Sequence, residues 1–299
     1  LRENSVRIYY RISDNSYPKP KLIGATKEVC LMNFIKAFHE VIFGGTEAPP
    51  EDFTPPIRII ADRCERTTIK TLMESGLPVT ISDHGNAGSL IQAVQMAVET
   101  GPEDELVYFC EDDYLHLGSA PRLLEEGIKR ADYVSLYDHP DKYTRLYNGG
   151  EYSKVIKTAS SHWRYTASTC MTFGAKVKTL KEDLEVWKKY TDGTHPHDHH
   201  IFTELGKNGR KLAIPIPGVA CHTDLWFSGQ MSQILIEPWA IELMIRELEN
   251  IIMSADPMRK DLLDLKLDMA WAEGKRGSWE RLVALDAIIK ARDVKPRDK

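Results

Sequence analysis

Three consecutive acidic residues, Glu111, Asp112 and Asp113, close an apolar run from Leu106 to Cys110 that is rich in β-formers. Carboxylates delivered together to the end of a buried strand repel one another and resist desolvation unless a cation or hydrogen-bond donors offset them. A divalent metal meets that need, because oxygen ligands suit Mg2+ or Mn2+ and those ions bridge to phosphates. The bland alternative is an acidic turn after a strand. A second concentration of chemistry lies between Asp192 and His200, where His195, His197, His199 and His200 surround Asp198. Three readings of it stay open. The imidazoles could gather a transition metal, Asp198 could be a base or cap at the start of a helix over 199–207, or the run could be a polar loop. His222 follows a strand-like run from Lys211 to Pro217. There an imidazole can complete a metal site made of carboxylates or serve as a hydrogen-bonded structural group.

These groups need elements to carry them. Val6 to Ile12 reads as a strand ending near Arg11, and apolar spacing from Val29 to Ile42 predicts a helix stopped by Gly44-Gly45. Ile57 to Ala61 is a short strand ending in Asp62, Thr67 to Ser75 a helix closed by Gly76, and Pro78 to Ser82 a strand ending in Asp83. Gly85-Asn86-Ala87-Gly88 opens a helix whose apolar face carries Leu90, Ile91, Val94, Ala97 and Val98. That turn is either a backbone N–H site for phosphate at a helix N-terminus or a plain tight turn and cap. Strands alternating with helices over the first 116 residues indicate a parallel α/β sheet covered on both faces. Ligands of such sheets bind at the carboxyl ends of the strands, which gathers Arg11, Asp62, Asp83 and the 111–113 carboxylates around one crevice.

Further along, a strand is expected over 133–137, a polar and aromatic acceptor loop over 138–152, a strand over 166–173 and a helix over 180–190. After Pro238, apolar stripes predict a run of helices, the last capped by Ser278, that serve as core or dimer-packing surfaces. The expected organisation is therefore an α/β domain over 1–228 with a helical region over 229–299.

With 299 residues, 42% hydrophobic and 28% charged, the chain can bury a full core. The net charge of -5 argues against a nucleic-acid partner. No apolar run is long enough for a transmembrane span. The five cysteines are scattered without Cys-x-x-Cys spacing, as expected of reduced thiols in a cytoplasmic protein. The chain opens without Met or a signal-peptide core, which fits a processed or excised piece of a longer chain.

The order of these features resembles the GT-A glycosyltransferases, especially the family-2-like inverting group, over roughly residues 5 to 227. The points of likeness are the strand ending near Arg11, the strand ending in Asp62, the Asn86-Ala87-Gly88 turn, Glu111-Asp112-Asp113, the Asp198 segment and the late His222. The resemblance implies a Rossmann-like nucleotide-binding sheet and a D-x-D motif, here Glu111-x-Asp113, that binds Mn2+ or Mg2+ and the diphosphate of a nucleotide sugar, a UDP-sugar first of all. It further implies Asp198 as catalytic base, although the usual Glu-Asp pair is His197-Asp198 here, and His222 beside Asp113 on the metal. Arg11, Asp62, Asp83, Asn86, Gly88, Glu111 and Asp112 would hold the donor. His197, His199 and Trp163 would meet a glycan or glycolipid acceptor, which could bring the protein to a membrane surface. A metallohydrolase built on the histidines, a nucleotidyltransferase and a noncatalytic carbohydrate-binding protein are the competing classes. The nucleotidyltransferase reading lacks the Gly-rich, Arg/Lys-bearing first loop expected of it.

Overall fold

The computed structural model describes residues 6–15, 21–22, 25–45, 53–143 and 151–223. The predicted helical region over 229–299 lies outside the described residues, as does part of the expected acceptor loop, 144–150. In chain order the elements are β1 (Val6–Ile12), α1 (Lys27–Ala37), α2 (His39–Phe43), β2 (Ile57–Asp62), α3 (Arg66–Glu74), β3 (Val79–Ser82), α4 (Gly85–Thr100), β4 (Leu106–Glu111), β5 (Tyr114–His116) and α5 (Ala120–Ile128). There follow β6 (Tyr133–Val134), a 3-10 turn (Pro140–Tyr143), β7 (Val155–Lys157), β8 (His162–Thr166), β9 (Phe173–Lys176), α6 (Val177–Glu182), α7 (Leu184–Tyr190), α8 (Asp198–Lys207), β10 (Leu212–Ile216) and β11 (Ala220–His222).

Among the described residues, nine strands form one mixed sheet in the order β3-β2-β1-β4-β9-β6-β10-β8-β7, and β5 pairs with β11 in a separate two-stranded ribbon. The first four strands are mutually parallel, as their alternation with helices required. From β9 outward the sheet turns largely antiparallel: β9 runs against β4 and β6, and β8 against β10 and β7.

Both faces of the sheet are covered, and the strand sequences show why. Along β1 and β4, Val6, Ile8, Tyr10, Leu106, Tyr108 and Cys110 enter one core with Phe34, Phe38, Leu72 and Leu124 from α1, α3, α5 and the α1–α2 junction. Tyr9, Val107 and Phe109 point the other way, into a second core with Leu90, Val94, Leu180, Trp187, Ile201 and Phe202 from α4, α6, α7 and α8. A continuous apolar run is what a strand buried on both faces needs. The result is a Rossmann-like α/β architecture.

Four expectations are corrected. The span 166–173 is not one strand: Thr166 ends β8, Phe173 starts β9, and 167–172 are the crossing between them. Their β-branched hydroxyls are spent on buried local bonds instead: Thr169 donates to Ser135 Oγ at 2.9 Å, and Ser135 donates to the Thr172 carbonyl at 3.0 Å. The helix expected over 180–190 is two helices broken at Asp183, whose buried carboxylate takes Arg210 Nε at 2.8 Å and the Tyr133 hydroxyl at 2.8 Å. The helix over 29–42 starts earlier, at Lys27 with Thr26 as its N-cap, and breaks at Phe38 while Phe34, Phe38 and Ile42 keep one buried face. Of the strand expected over 133–137, only Tyr133 and Val134 join the large sheet, and Tyr137 bridges to Ala220.

Candidate functional site

The strand register brings together Arg11, Asp62 and the acidic turn of the predicted crevice, but leaves Asp83 on the surface. Arg11 stands opposite Glu111 across the β1–β4 ladder, and Asp62 opposite Ser82 across β2–β3. Arg11 is 6% exposed and bonds Glu111 Oε1 at 2.6 Å, the Asn86 carbonyl at 2.7 Å, and Asn86 Oδ1 and Ser89 Oγ at 3.2 Å. It thereby straps the end of β4 to the start of α4. Burial and the adjacent charges of Asp113 and Asp112 push the Glu111 carboxyl up, against the pull of Arg11.

Asp62 caps the turn before α4 from the neighbouring strand. Its Oδ1 accepts from Ser82 Oγ at 2.9 Å, from the His84 N–H at 2.8 Å and from the Gly85 N–H at 3.2 Å. Gly85 has φ +74, and a Cβ on Gly88 would lie 2.7 Å from the Cβ of His84. Both glycines are thus required by the turn itself. Asp83, 88% exposed, pairs with Arg63 at 2.8 Å on the surface.

Beyond β4 the chain enters the β5–β11 ribbon, which places the acidic turn against His222. Ladder partners Tyr114 and His222 also touch ring to ring at 4.8 Å, and the Thr223 N–H donates to the Asp113 carbonyl at 2.8 Å. His222 Nε2 lies 3.5 Å from Asp113 Oδ2, and the two side chains are 8% and 18% exposed. Asp113 Oδ1 is buried with no hydrogen-bond partner. Asp112 differs: its Oδ2 accepts the Ser13 N–H at 3.0 Å and sits 3.1 Å from Lys27 Nζ. Burial raises its carboxyl, and Lys27 opposes the rise.

The donor set fits a divalent cation of the Mg2+ or Mn2+ type. A carboxylate with an orphaned buried oxygen and an adjacent imidazole would supply two protein ligands, and such ions take their remaining ligands from water and substrate phosphates. Among the described residues no group of three or more His, Cys, Asp or Glu stands placed to hold a metal. The histidines around Asp198 therefore form no such cluster, and His195, His197, His199 and His200 are all exposed.

Asp198 is the first residue of α8, with His197 at the N-cap position and making no side-chain cap bond. Its Oδ1 accepts the His199 N–H at 2.6 Å. Burial raises its carboxyl, and His199, His139 and His197 oppose that rise. The segment leading into α8 packs beside the α4 turn, where the Ala87 N–H reaches the Thr194 carbonyl at 3.4 Å. The thiol of Cys170 feels both acidic groups. It is pushed up by burial and then by the negative charges of Asp198, Glu111 and Asp113, so it lies within electrostatic reach of all three.

Trp163 is elsewhere. It is fully buried on β8 in the first core, its indole N–H donates to Thr158 Oγ1 at 2.8 Å, and its ring would collide with a Cβ on Gly127. It offers no face to a sugar. Sequence reasoning missed Ser13, Lys21, Lys27 and Tyr114 as neighbours of the acidic turn, and His139 as a neighbour of Asp198. The Thr26 cap was a readable signal for Lys27 at a helix start, whereas the three-residue strands of the ribbon carry too little pattern to be seen.

No protein-family model matches the sequence, and no curated relative matches it. Similar solved structures include a nucleotidyl transferase from Methanothermobacter thermautotroptrophicus, 12% identical with a TM-score of 0.37 over 69% of this chain and 85% of that one. A mannose-1-phosphate geranyltransferase from Thermus thermophilus is 9% identical, with a TM-score of 0.40 over 71% and 73%. A CMP:2-keto-3-deoxy-manno-octonic acid synthetase complexed with CTP is 10% identical, with a TM-score of 0.41 over 72% and 93%. Likeness at this level carries no argument about activity. Among the described residues, no helix is long and apolar enough to cross a membrane.

Proposed function

We propose that this chain is a metal-dependent transferase of the nucleotide-sugar class, a GT-A-type glycosyltransferase that moves a sugar from a UDP-sugar or related donor to an acceptor hydroxyl with inversion. The observation that carries the reading is the meeting of Asp113 and His222 at the carboxyl edge of the sheet, with one Asp113 oxygen buried and unpartnered.

Asp113 and His222 would hold Mn2+ or Mg2+, which when bound supplies positive charge to the leaving diphosphate. Asp198 would remove the proton from the acceptor hydroxyl as that oxygen attacks the anomeric carbon. A carboxyl raised by burial is a stronger base than an ordinary aspartate, which suits the role. Arg11, Asp62 and Asn86 act by fixing the ends of β1, β2 and α4, so they shape the donor crevice through one another. Glu111 and Asp112 are likewise engaged within the protein. The acceptor in this reading is a glycan or glycolipid.

A thermal-shift panel of nucleoside diphosphates with and without Mn2+ tests the reading, because a ligand that binds only the native state raises its melting temperature. UDP or a related diphosphate should raise it only when Mn2+ is present. Absence of any nucleotide response, or release of pyrophosphate from a nucleoside triphosphate, would replace glycosyl transfer with another class.

A further inference from the structure

We infer that the Lys21 ammonium is a resident counter-ion of Asp113 that a divalent cation must displace, so that metal entry and release of Lys21 are one exchange. The inference rests on the metal reading of Asp113 and His222 and goes beyond it by assigning Lys21.

Backbone bonds fix the position of Lys21. The Leu22 N–H donates to the Thr223 carbonyl at 2.7 Å, and the Thr223 N–H donates to the Asp113 carbonyl at 2.8 Å. Residues 21–22, 223 and 113 are thereby tied together, with Leu22 buried. From that anchor Lys21 Nζ reaches to 3.6 Å from Asp113 Oδ2, the same oxygen that lies 3.5 Å from His222 Nε2. An ammonium and a divalent ion cannot share that oxygen at close range, because like charges repel strongly where water is scarce. The ammonium is also the weaker partner. It is a single charge on a flexible stem, 24% exposed.

Lys27 is the internal contrast. It faces Asp112 at 3.1 Å, on a carboxylate oxygen already occupied by the Ser13 N–H. It starts α1 and holds the turn, so it competes for nothing at Asp113.

The test is Mn2+ binding alone, read from the electron paramagnetic resonance signal of free Mn2+ in titrations of the full chain. Lys21→Gln should bind Mn2+ about fivefold more tightly than the parent, the size expected when a partly exposed ion pair no longer has to be broken. Lys27→Gln should show no gain. Parent-like or weaker binding by Lys21→Gln, with binding in the parent that Asp113→Asn removes, would overturn the exchange and leave the metal site standing. No Mn2+ binding by either the parent or Lys21→Gln would overturn both. Circular dichroism and melting of each variant establish that the comparison is between folded proteins.

Discussion

At the ends of the parallel strands Arg11 and Asp62 are each held by several hydrogen bonds, whereas Asp113 at the acidic turn and Asp198 at the start of α8 are held by few. Arg11 has four hydrogen bonds at 2.6 to 3.2 Å, and one Asp62 oxygen accepts three. Asp113 keeps a buried oxygen without a partner, and Asp198 has one backbone donor. A ligand gains little from groups whose bonds are satisfied, because it must first break them. In the proposed reading the heavily bonded pair would build the crevice, and Asp113 and Asp198 would act on what enters it.

Substitutions that exchange these roles would break the comparison. The largest expected effect is on turnover. Asp198→Asn should lower it by about 100-fold or more, the usual worth of a positioned base, while UDP affinity stays within about twofold. A parallel loss of both would move Asp198 into the binding machinery. In the parent, turnover should fall on the acid side at a pH above the ordinary aspartate range, since burial raises this carboxyl and only its ionised form can accept the proton.

Asp62→Ala belongs to the other set and should act on stability. It strands the His84 and Gly85 N–H groups and the Ser82 hydroxyl, at a cost of about 2–4 kcal/mol in urea unfolding. Unchanged stability with lost nucleotide binding would make Asp62 a ligand group after all.

His116 sharpens the same contrast inside the core. Its ring is fully buried, bonds the Tyr108 hydroxyl at 2.8 Å, and burial lowers its pKa from 6.5 to about 3. The unfolded chain takes up this proton first as pH falls. Its contribution is thus complete above about pH 6.5 and is lost toward pH 3, by at most about 1.4 kcal/mol per pH unit. His116→Phe should flatten that part of the pH dependence of unfolding. The smallest effect is expected at Trp163. Trp163→Phe should cost about 1–2 kcal/mol through the lost Thr158 bond and packing, and should leave nucleotide affinity unchanged.

How much was legible in the sequence follows the same division. The strands of the βαβ half could be read to within a residue or so, because each is a short apolar run ending at or next to a charged or hydroxyl side chain, whereas the break at Phe38 left no mark in the apolar spacing of the first helix. The meeting of Asp113 with His222 was legible only as a guess about order along the chain. What joins them is a ribbon of two three-residue strands, and no periodicity exists at that length. The 166–173 segment misled because threonines and aromatics are enriched in strands, yet here they fill a buried crossing where hydroxyls meet carbonyls. Trp163 was misplaced for a related reason. An aromatic ring looks the same in sequence whether it faces a sugar or Gly127.

The most direct measurement is calorimetric titration of UDP into the parent and into Asp113→Asn, each with and without Mn2+. The expected result is binding by the parent that requires Mn2+, weakened about 100-fold, or about 2.7 kcal/mol, in Asp113→Asn, with both proteins melting at nearly the same temperature. Equal affinity in the two proteins, or binding by the parent that ignores Mn2+, would contradict a metal-bridged nucleotide site at Asp113 and His222.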